Sequence, residues 1–413
     1  MEKADSRNIE NWLRKIDEYN DTKEYGTTRV LFTPTELAAR EYVKNEMRNL
    51  GLEVTEDNIG NIFGTLPGTD RESKPVWTGS HIDTVLNGGM FDGMAGVVGG
   101  MEALRLIHNA GLKHKRDISV IVYTSEEPTR FKLCCLGSRA MSGDLKLEDL
   151  DKIYDEQGKT LKEVLIELGY DLSKFCQIKR EKGSVYAAVE LHVEQSENLE
   201  KNNKTIGIVK TICAPTNFIV EVEGKQSHAG GTSMEDRRDA YAASCEIGLV
   251  LERLAKKSKS EYTTATVGMV NVLPNASNVI PGKVEFTIDI RDCDFDSKNH
   301  LIKELKREVK KIEEKRQVKI RMTEKNNDEP LQCDEKILNI LEENCKRENY
   351  SYMKTISGAY HDSMFVGKFA PTAMLFVPSK DGISHSPEEW TDFADIAKGV
   401  DVLANTLLEL ANS

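Results

Sequence analysis

The 413-residue sequence lacks several features that mark large classes of proteins. No window approaches 18 consecutive apolar residues, so we do not expect a membrane span. The net charge is −12, and an acidic chain lacks the basic surface typical of nucleic-acid-binding proteins. The charged N-terminus does not lead into the apolar segment of a signal peptide. Neither a nucleic acid nor a membrane is therefore expected as a partner.

Cysteine is also scarce. The eight cysteines include no C-x-x-C pair, and two of them, Cys134 and Cys135, are adjacent. Such a pattern is typical of reduced thiols and not of a disulfide framework. The sequence therefore predicts a cytoplasmic protein without structural disulfides.

Apolar residues make up 39% of the chain and charged residues 30%, which is typical of a globular protein. A chain of this length is expected to form two domains. Short apolar runs of strand length alternate with helical patterns, and this alternation favours an α/β fold whose central sheet is mostly parallel and flanked by helices. The predicted strands are 75–78, 118–124, 185–191 and 373–377, and the predicted helices are 7–20, 34–50, 96–110 and 334–349.

The pattern changes after residue 214. Three half-buried strands (217–224, 264–272 and 283–291) and two helices (237–256 and 297–315) are typical of a small α+β domain inserted into the larger one. The charged segment 324–329 is interpreted as the linker that returns to the larger domain. We therefore predict a catalytic domain formed by residues 1–213 and 328–413, and an inserted domain at 214–327.

Each of the four strands of the larger domain is followed by residues that can bind a metal ion. In an open α/β sheet the ligand crevice lies beyond the carboxyl ends of the strands, so these residues are expected to meet there. Histidine and carboxylate side chains suit zinc and similar ions. The alternative for any one segment alone is a polar turn. The residues are His81 and Asp83, Glu126 and Glu127, His192, Glu194 and Gln195, and His385.

The adjacent pair Glu126 and Glu127 has a chemical logic of its own. Neighbouring residues that leave a strand point in different directions, so one carboxylate can bind a metal while the other faces a water molecule. A carboxylate in that second position can act as a general base. The alternative is an acidic turn before Pro128.

Several motifs together resemble the M20-type binuclear metallohydrolases, in the branch that acts on ureido acids. That branch comprises N-carbamoyl-L-amino acid hydrolases, β-ureidopropionase, allantoate amidohydrolases and ureidoglycolate amidohydrolases. The resemblance covers nearly the whole chain. The motifs are 25–29 (YGTTR), 57–61 (DNIGN), 80–84 (SHIDT), 89–93 (GMFDG), 125–127 (SEE), 190–195 (ELHVEQ) and 384–386 (SHS).

The resemblance implies a site for two divalent metal ions. Asp92 would bridge the ions, His81 and His192 would complete one shell, and Glu127 and His385 the other. Zinc or manganese is expected, and cobalt or nickel also accepts such ligands.

The same resemblance assigns further catalytic roles. Glu126 would be the general base, and Asp83 would hold His81 in its metal-binding tautomer. His228, in the motif 224–230 (GKQSHAG), would reach the active site of a partner subunit and stabilise the developing oxyanion. The inserted domain would then be a lid and dimerisation domain, and the protein a homodimer.

Substrate-binding residues follow from the resemblance as well. Arg291 and Asn278 would bind the substrate carboxylate, because a guanidinium binds a carboxylate bidentately. Gln195 and His361 would lie near the ureido group, with Tyr360 beside them in a motif (359–363, AYHDS) similar to that of ureidoglycolate amidohydrolases. The alternative for Arg291 is a surface ion pair with Asp289 or Asp292, and for His228 a plain loop histidine.

The sequence departs from the family pattern at two places, 194–197 (EQSE) and 230–233 (GGTS), which affect the shape of the pocket and not the ligands. The expected activity is metal-dependent cleavage of the ureido C–N bond of a small carboxylate-bearing ureide, namely ureidoglycolate, an N-carbamoyl-L-amino acid or allantoate. Ammonia and carbon dioxide would be released. The alternatives are an M20-type dipeptidase or aminopeptidase, a non-catalytic binding protein with the same fold, and a purely structural cluster.

Overall fold

The computed structural model of the protein describes residues 1–413 and divides into two compact units. The first unit comprises Met1–Lys210, Gln332–Thr355 and His361–Ser413, and the second comprises Thr211–Leu331 and Ile356–Tyr360. The predicted insert, 214–327, omitted residues 356–360. That short segment lies far along the chain and has no local pattern that assigns it to the second unit.

The chain forms fifteen strands and eleven α-helices. The strands are β1 Glu53–Glu56, β2 Ile62–Leu66, β3 Val76–His81, β4 Ile118–Tyr123, β5 Ala187–Val193, β6 Ile206–Ile212, β7 Ala214–Glu223, β8 Ser227–His228, β9 Thr264–Leu273, β10 Val279–Ile280, β11 Lys283–Asp292, β12 Lys319–Asn327, β13 Leu331–Gln332, β14 Tyr352–Ser357 and β15 Thr372–Val377. The helices are α1 Ser6–Asp17, α2 Pro34–Asn49, α3 Met94–Asn109, α4 Leu136–Ser142, α5 Leu161–Glu167, α6 Asn198–Lys201, α7 Ala240–Lys256, α8 Phe295–Arg316, α9 Glu335–Arg347, α10 Ser363–Val366 and α11 Phe393–Asn412. None of these helices combines the length and apolar character needed to cross a bilayer.

The first unit is built on a nine-stranded sheet of order β1-β2-β4-β3-β5-β15-β6-β13, with β14 paired to β6. The four central strands β4, β3, β5 and β15 are parallel. All four are fully buried, as expected for parallel strands covered on both faces. The predicted α/β fold is confirmed, and the carboxyl ends of these strands share one edge of the sheet.

Helix α3 follows β3 along the chain and packs against the sheet. Gly93 precedes it with a φ of 71°, and a Cβ atom there would collide with the His81 ring. Only glycine therefore allows the loop from β3 to turn into the helix so close to His81. The side chains of α3 pack with those of α11 and the sheet in one large apolar core.

The second unit contains a four-stranded antiparallel sheet of order β12-β7-β11-β9 with its own apolar core. The prediction of three strands was wrong, because β12 includes part of the segment interpreted as the return linker. Charged and apolar residues alternate from Lys319 to Met322, so the pattern of a half-exposed strand was present but hidden among the charges.

The prediction that every cysteine is a free thiol was also wrong. Cys213 and Cys293 form a disulfide, with 4.2 Å between their Cα atoms. They lie just beyond the paired residues Ala214 and Asp292, so the antiparallel pairing of β7 and β11 brings them together. The other six cysteines are free.

Candidate metal centre

The residues predicted to bind metal converge at the carboxyl edge of the parallel strands. His81 ends β3, His192 lies in β5, and Glu127 follows β4. Asp92 precedes α3, and His385 lies in the loop after β15. Three groups of side chains have ligand atoms within 4.8 Å of one another and could each hold a metal ion. One of them is Glu190, His192 and His361. The other two are His81, Asp92 and His192, and Asp92, Glu127 and His385.

Asp92 is the residue that these two groups share. Its Oδ1 lies 3.3 Å from Nε2 of His192 and 3.9 Å from Nε2 of His81. Its Oδ2 lies 2.9 Å from Nε2 of His385, which is also 3.3 Å from Oε1 of Glu127. Each oxygen of Asp92 therefore faces one of these two groups, so one carboxylate could contact an ion in each.

Main-chain carbonyls orient the two buried histidines. Nδ1 of His81 lies 2.9 Å from the Asp83 oxygen, and Nδ1 of His192 lies 2.9 Å from the Val193 oxygen. A carbonyl accepts only an N–H, so both rings carry the proton on Nδ1 and leave the Nε2 lone pair free to bind a metal. Nε2 of His192 is buried without any hydrogen-bond partner.

Asp83 acts differently from the sequence prediction. Its carboxylate is 3.9 Å from the His81 ring, and its main-chain oxygen makes the orienting contact instead. The carboxylate accepts the main-chain N–H groups of Glu126 (3.3 Å) and Glu127 (3.0 Å). The carbonyl of Asp83 therefore orients the His81 ring, and its carboxylate fixes the loop that carries Glu126 and Glu127.

Glu126 points toward the group of His81, Asp92 and His192. Its Oε2 lies 3.8 Å from Nε2 of His81, and its Oε1 lies 3.8 Å from Sγ of Cys135. Burial, with the neighbouring Glu127 and Asp362 carboxylates, raises the pKa of Glu126 well above its ordinary value. A carboxylate with a raised pKa can accept a proton near neutral pH and release it again.

Burial, neighbouring charges and hydrogen bonds set the other pKa values of the centre. Burial raises the pKa of Glu127 well above its usual range, with a further contribution from Asp92, and lowers that of His81 to about 4. Burial also raises the pKa of Asp92, but the His385 hydrogen bond and the histidine charges outweigh it and lower the value below the ordinary one. The Asp92 hydrogen bond raises the pKa of His385 to about 9.

His385 and Gln195 form the more open side of the centre. The His385 side chain is 50% exposed, whereas those of the other four ligands are at most 9% exposed. Both residues have a left-handed backbone, with φ of 54° and 57°. Gln195 Nε2 donates to Ser384 (3.2 Å), while its Oε1 is buried without a partner. An unpartnered acceptor at this position is suited to an N–H group of a ligand.

His361 lies beside the metal groups. Its ring is buried, with its centroid 4.5 Å from that of His192, and burial lowers its pKa well below the ordinary value. Behind it, Glu190 accepts hydrogen bonds from Ser80 (2.9 Å) and Ser363 (2.5 Å). Sequence reasoning assigned no role to Glu190. Its two-residue spacing from His192 along β5 places both side chains on the same face of the strand, and that spacing was the available signal.

The second unit carries His228 and Asn278. Nδ1 of His228 accepts the N–H groups of Gly230 (3.1 Å) and Gly231 (3.0 Å), so the ring proton is on Nε2. The imidazole is exposed and presents Nε2–H as a donor. Asn278 is exposed, and its main-chain oxygen accepts the N–H of Ala229.

Arg291 and Tyr360 also lie in the second unit. Nε and Nη2 of Arg291 donate to the two carboxylate oxygens of Asp289 (3.0 and 3.2 Å), and Nη1 donates to the Gly358 oxygen (3.1 Å). The alternative of an ion pair with Asp289 is therefore present. Three of the five N–H groups of a guanidinium are used, and two remain for a ligand. The Tyr360 hydroxyl donates to Asp328 (2.6 Å).

These observations fit a pair of divalent cations. Asp92, Glu127 and the neutral imidazole nitrogens are the donors that zinc and similar ions bind. The buried Nε2 of His192 has no other partner. A cation there would satisfy that nitrogen and relieve the repulsion between Asp92 and Glu127.

Comparison with known proteins agrees with this geometry. The model of the family described as peptidase family M20/M25/M40 matches residues 77–409. The chain is 38% identical to a ureidoglycolate hydrolase of Arabidopsis thaliana, over 99% of this chain and 87% of that protein. It is 37% identical to an N-carbamoyl-L-amino acid amidohydrolase of Geobacillus stearothermophilus, over 97% of each. A crystal structure of AtUAH in complex with glyoxylate matches with a TM-score of 0.90 at 38% identity, covering 99% of this chain and 98% of that one.

Proposed function

Because this chain belongs to peptidase family M20/M25/M40 and is a metal-dependent hydrolase of C–N bonds, we propose that its substrate is a small ureido acid. The reaction is hydrolysis of the ureido C–N bond with release of ammonia and carbon dioxide. The observation that carries the proposal is the pair of ligand groups sharing Asp92, with Glu126 facing them. Ureidoglycolate is the preferred candidate among the ureides, because the motifs around Glu126 and His361 resemble those of ureidoglycolate amidohydrolases.

The metal site supplies one part of the chemistry. Two divalent ions, when bound, polarise a carbonyl group and lower the pKa of a water molecule. We propose zinc or manganese, because imidazole and carboxylate ligands suit both. His81, His192, Glu127 and His385 would hold the ions, with Asp92 between them.

The protein's own groups move the protons. Glu126 takes a proton from the attacking water and passes it to the leaving nitrogen, and its raised pKa allows both steps. Gln195 Oε1 accepts an N–H of the ureido group, which satisfies its unpartnered oxygen. The buried, uncharged imidazole of His361, whose pKa is lowered by burial, contacts the ureido group.

Residues of the second unit are proposed to bind the rest of the substrate. The two remaining N–H groups of Arg291 and the amide of Asn278 bind the carboxylate, and the Tyr360 hydroxyl donates to Asp328. His228 is proposed to enter the active site of the partner subunit, where it donates Nε2–H to the carbonyl oxygen as negative charge develops there, as an oxyanion hole requires.

The second unit is also proposed as a lid and dimerisation domain that pairs with a second copy of the chain. Strand β9 is an edge strand, and the exposed fractions of its residues Met269, Val270 and Leu273 are 73%, 51% and 49%. On helix α7, which contacts β9, Tyr241 and Leu249 are also exposed. An apolar edge strand readily pairs with another strand, and antiparallel pairing of two β9 strands gives a closed twofold interface.

A substrate panel tests the proposed function. Metal-free protein, reloaded in turn with zinc, manganese, cobalt and nickel, is incubated with ureidoglycolate, allantoate, N-carbamoyl-L-amino acids and dipeptides. We expect ammonia from ureides, with ureidoglycolate turned over fastest, and no amino acid from dipeptides. Release of amino acids without ammonia would identify a dipeptidase or aminopeptidase instead, and no turnover at all would favour a binding protein. The Glu126→Gln variant, purified in parallel, controls for contaminating activity.

A further inference from the structure

Glu389 is buried beside the metal centre, and neither the sequence motifs nor the comparisons give it a role. Its side chain is 4% exposed. Oε1 accepts two main-chain N–H groups, from Phe91 (2.9 Å) and Asp92 (3.0 Å). Oε2 accepts the hydroxyl of Ser384 (2.7 Å), the residue before His385. One carboxylate therefore joins the backbone of the bridging ligand to the loop of another ligand.

The surroundings of Glu389 are built for this contact. Gly89 lies against its side chain, and a Cβ atom at position 89 would collide with the Glu389 carboxyl group. The next residue, Trp390, packs edge-on against Phe91, with ring centroids 5.4 Å apart. The segment 389–390 thus contacts the Asp92 loop through both a carboxylate and an aromatic ring.

His385 needs such support more than the other ligands do. Its side chain is half exposed, and its backbone is left-handed, a conformation that a residue with a Cβ atom rarely adopts. His81 and His192, by contrast, lie in buried strands, and a main-chain carbonyl fixes each ring. The contact of Glu389 with Ser384 adjoins the residue whose backbone is strained.

From this arrangement we infer that Glu389 is a positioning residue, which sets the distance between Asp92 and His385. It thereby shapes the binding site for the second ion, the one held by Asp92, Glu127 and His385. This inference rests on the proposed two-metal function. Glu389 acts through other residues and does not itself bind the ions. Two of its contacts require a hydrogen-bond acceptor, and the third requires a group that can bond the Ser384 hydroxyl. All three require a side chain of the length of glutamate.

Variants of Glu389 distinguish the effect of side-chain length and hydrogen bonding from the effect of its negative charge. In Glu389→Gln, the amide oxygen can still accept the two N–H groups and the amide nitrogen can donate to Ser384, so the connection persists. Glu389→Leu removes every acceptor with little change in volume. Glu389→Asp keeps the charge but is one methylene shorter. The neighbouring exposed Glu388 offers a matched control, Glu388→Leu.

The experiment measures metal binding by calorimetry and by elemental analysis of the desalted protein, together with kcat and KM. For Glu389→Leu and Glu389→Asp we expect the affinity for the second ion to fall about 10- to 100-fold, as is usual when a group that supports a ligand is removed. The kcat should fall with little change in KM. Glu389→Gln and Glu388→Leu should stay within about threefold of the wild type, a margin set by one ordinary hydrogen bond.

The outcomes distinguish the inference from the proposed function. Wild-type protein that binds no metal would refute both. Wild-type protein that binds two ions, with Glu389→Leu binding them equally well, would refute the inference alone. An equal loss of affinity in Glu389→Gln and Glu389→Leu would also refute it. The requirement would then be the negative charge and not the hydrogen bonds to the two loops. If circular dichroism shows that Glu389→Leu is unfolded, Ser384→Ala replaces it, and unchanged affinity for the second ion in that variant overturns the inference.

Discussion

Nε2 of His385 lies 2.9 Å from Oδ2 of Asp92, while the other oxygen of Asp92 faces His192 at 3.3 Å. Asp92 is therefore part of both ligand groups, and His81 of only one. We predict that Asp92→Ala loses both ions, whereas His81→Ala loses one. Elemental analysis of the desalted variants gives the number of ions per chain. The control is Asp401→Ala. Asp401 is a buried carboxylate outside both ligand groups, and it accepts hydrogen bonds from the Ala4 N–H and the Tyr350 hydroxyl. Equal losses from Asp92→Ala and His81→Ala would contradict a bridging role.

Glu126 is predicted to be needed for turnover but not for metal binding. Glu126→Gln keeps the size of the side chain and removes the base, so kcat should fall about 10²- to 10⁴-fold. The number of bound ions should remain that of the wild type. Steady-state assays of ammonia release, with elemental analysis of the same samples, check both quantities. Loss of an ion together with activity would instead make Glu126 a ligand.

The residues at the strand ends were predictable because they follow a rule of the fold. Each of four buried apolar runs is followed by a histidine or glutamate, and parallel strands bring those ends to a single edge. His81, Glu127 and His192 were placed in this way from local pattern alone. Asp92, a carboxylate between glycines soon after His81, was also a candidate ligand from the sequence. The resemblance to a known family added its bridging role and the assignment of the ligands to two ions.

The remaining features depend on contacts that no local pattern encodes. Glu389 bonds main-chain N–H groups that any residue would offer, so the sequence around it carries no signal. The disulfide of Cys213 with Cys293 depends on the register between β7 and β11, 80 residues apart. The sequence placed Asp83 beside His81, but which of its oxygens contacts the His81 ring depends on the local backbone conformation.

The disulfide is expected to stabilise the second unit. It closes a loop of 80 residues, and the loss of that constraint on the unfolded chain corresponds to about 4.5 kcal/mol in the loop-entropy model. The double variant Cys213→Ser with Cys293→Ser should therefore unfold at a lower urea concentration. The Cys333→Ser variant changes a buried free thiol and serves as the control. Thiol titration of unreduced, denatured wild type should find six thiols, and eight would contradict the bond.

Lys298 should make stability depend on pH. Burial lowers its pKa to about 8, and its ammonium group donates to the Ala214 oxygen (3.1 Å) and to the Asp328 oxygen. In the unfolded chain the ordinary value is 10.5, so between pH 8 and 10.5 the unfolded state binds more protons than the folded state. The free energy of unfolding must then rise with pH across that window. We expect the wild type to gain stability relative to Lys298→Met between pH 8 and 10, as measured by urea unfolding. A difference that shrinks as the pH rises would contradict the lowered pKa.

The edge strand β9 gives a prediction about assembly. Val270→Lys places a charge on the exposed part of this strand, where it would have to be buried if two copies pair. We expect the variant to sediment as a monomer while the wild type sediments as a dimer. Because His228 is proposed to act in the partner's active site, the monomer should bind metal normally and lose kcat. The matched control is Leu249→Lys on helix α7: a similar loss would extend the interface to that helix, and no loss would confine it to β9. A monomeric wild type with full activity would refute the dimer and the role of His228 together.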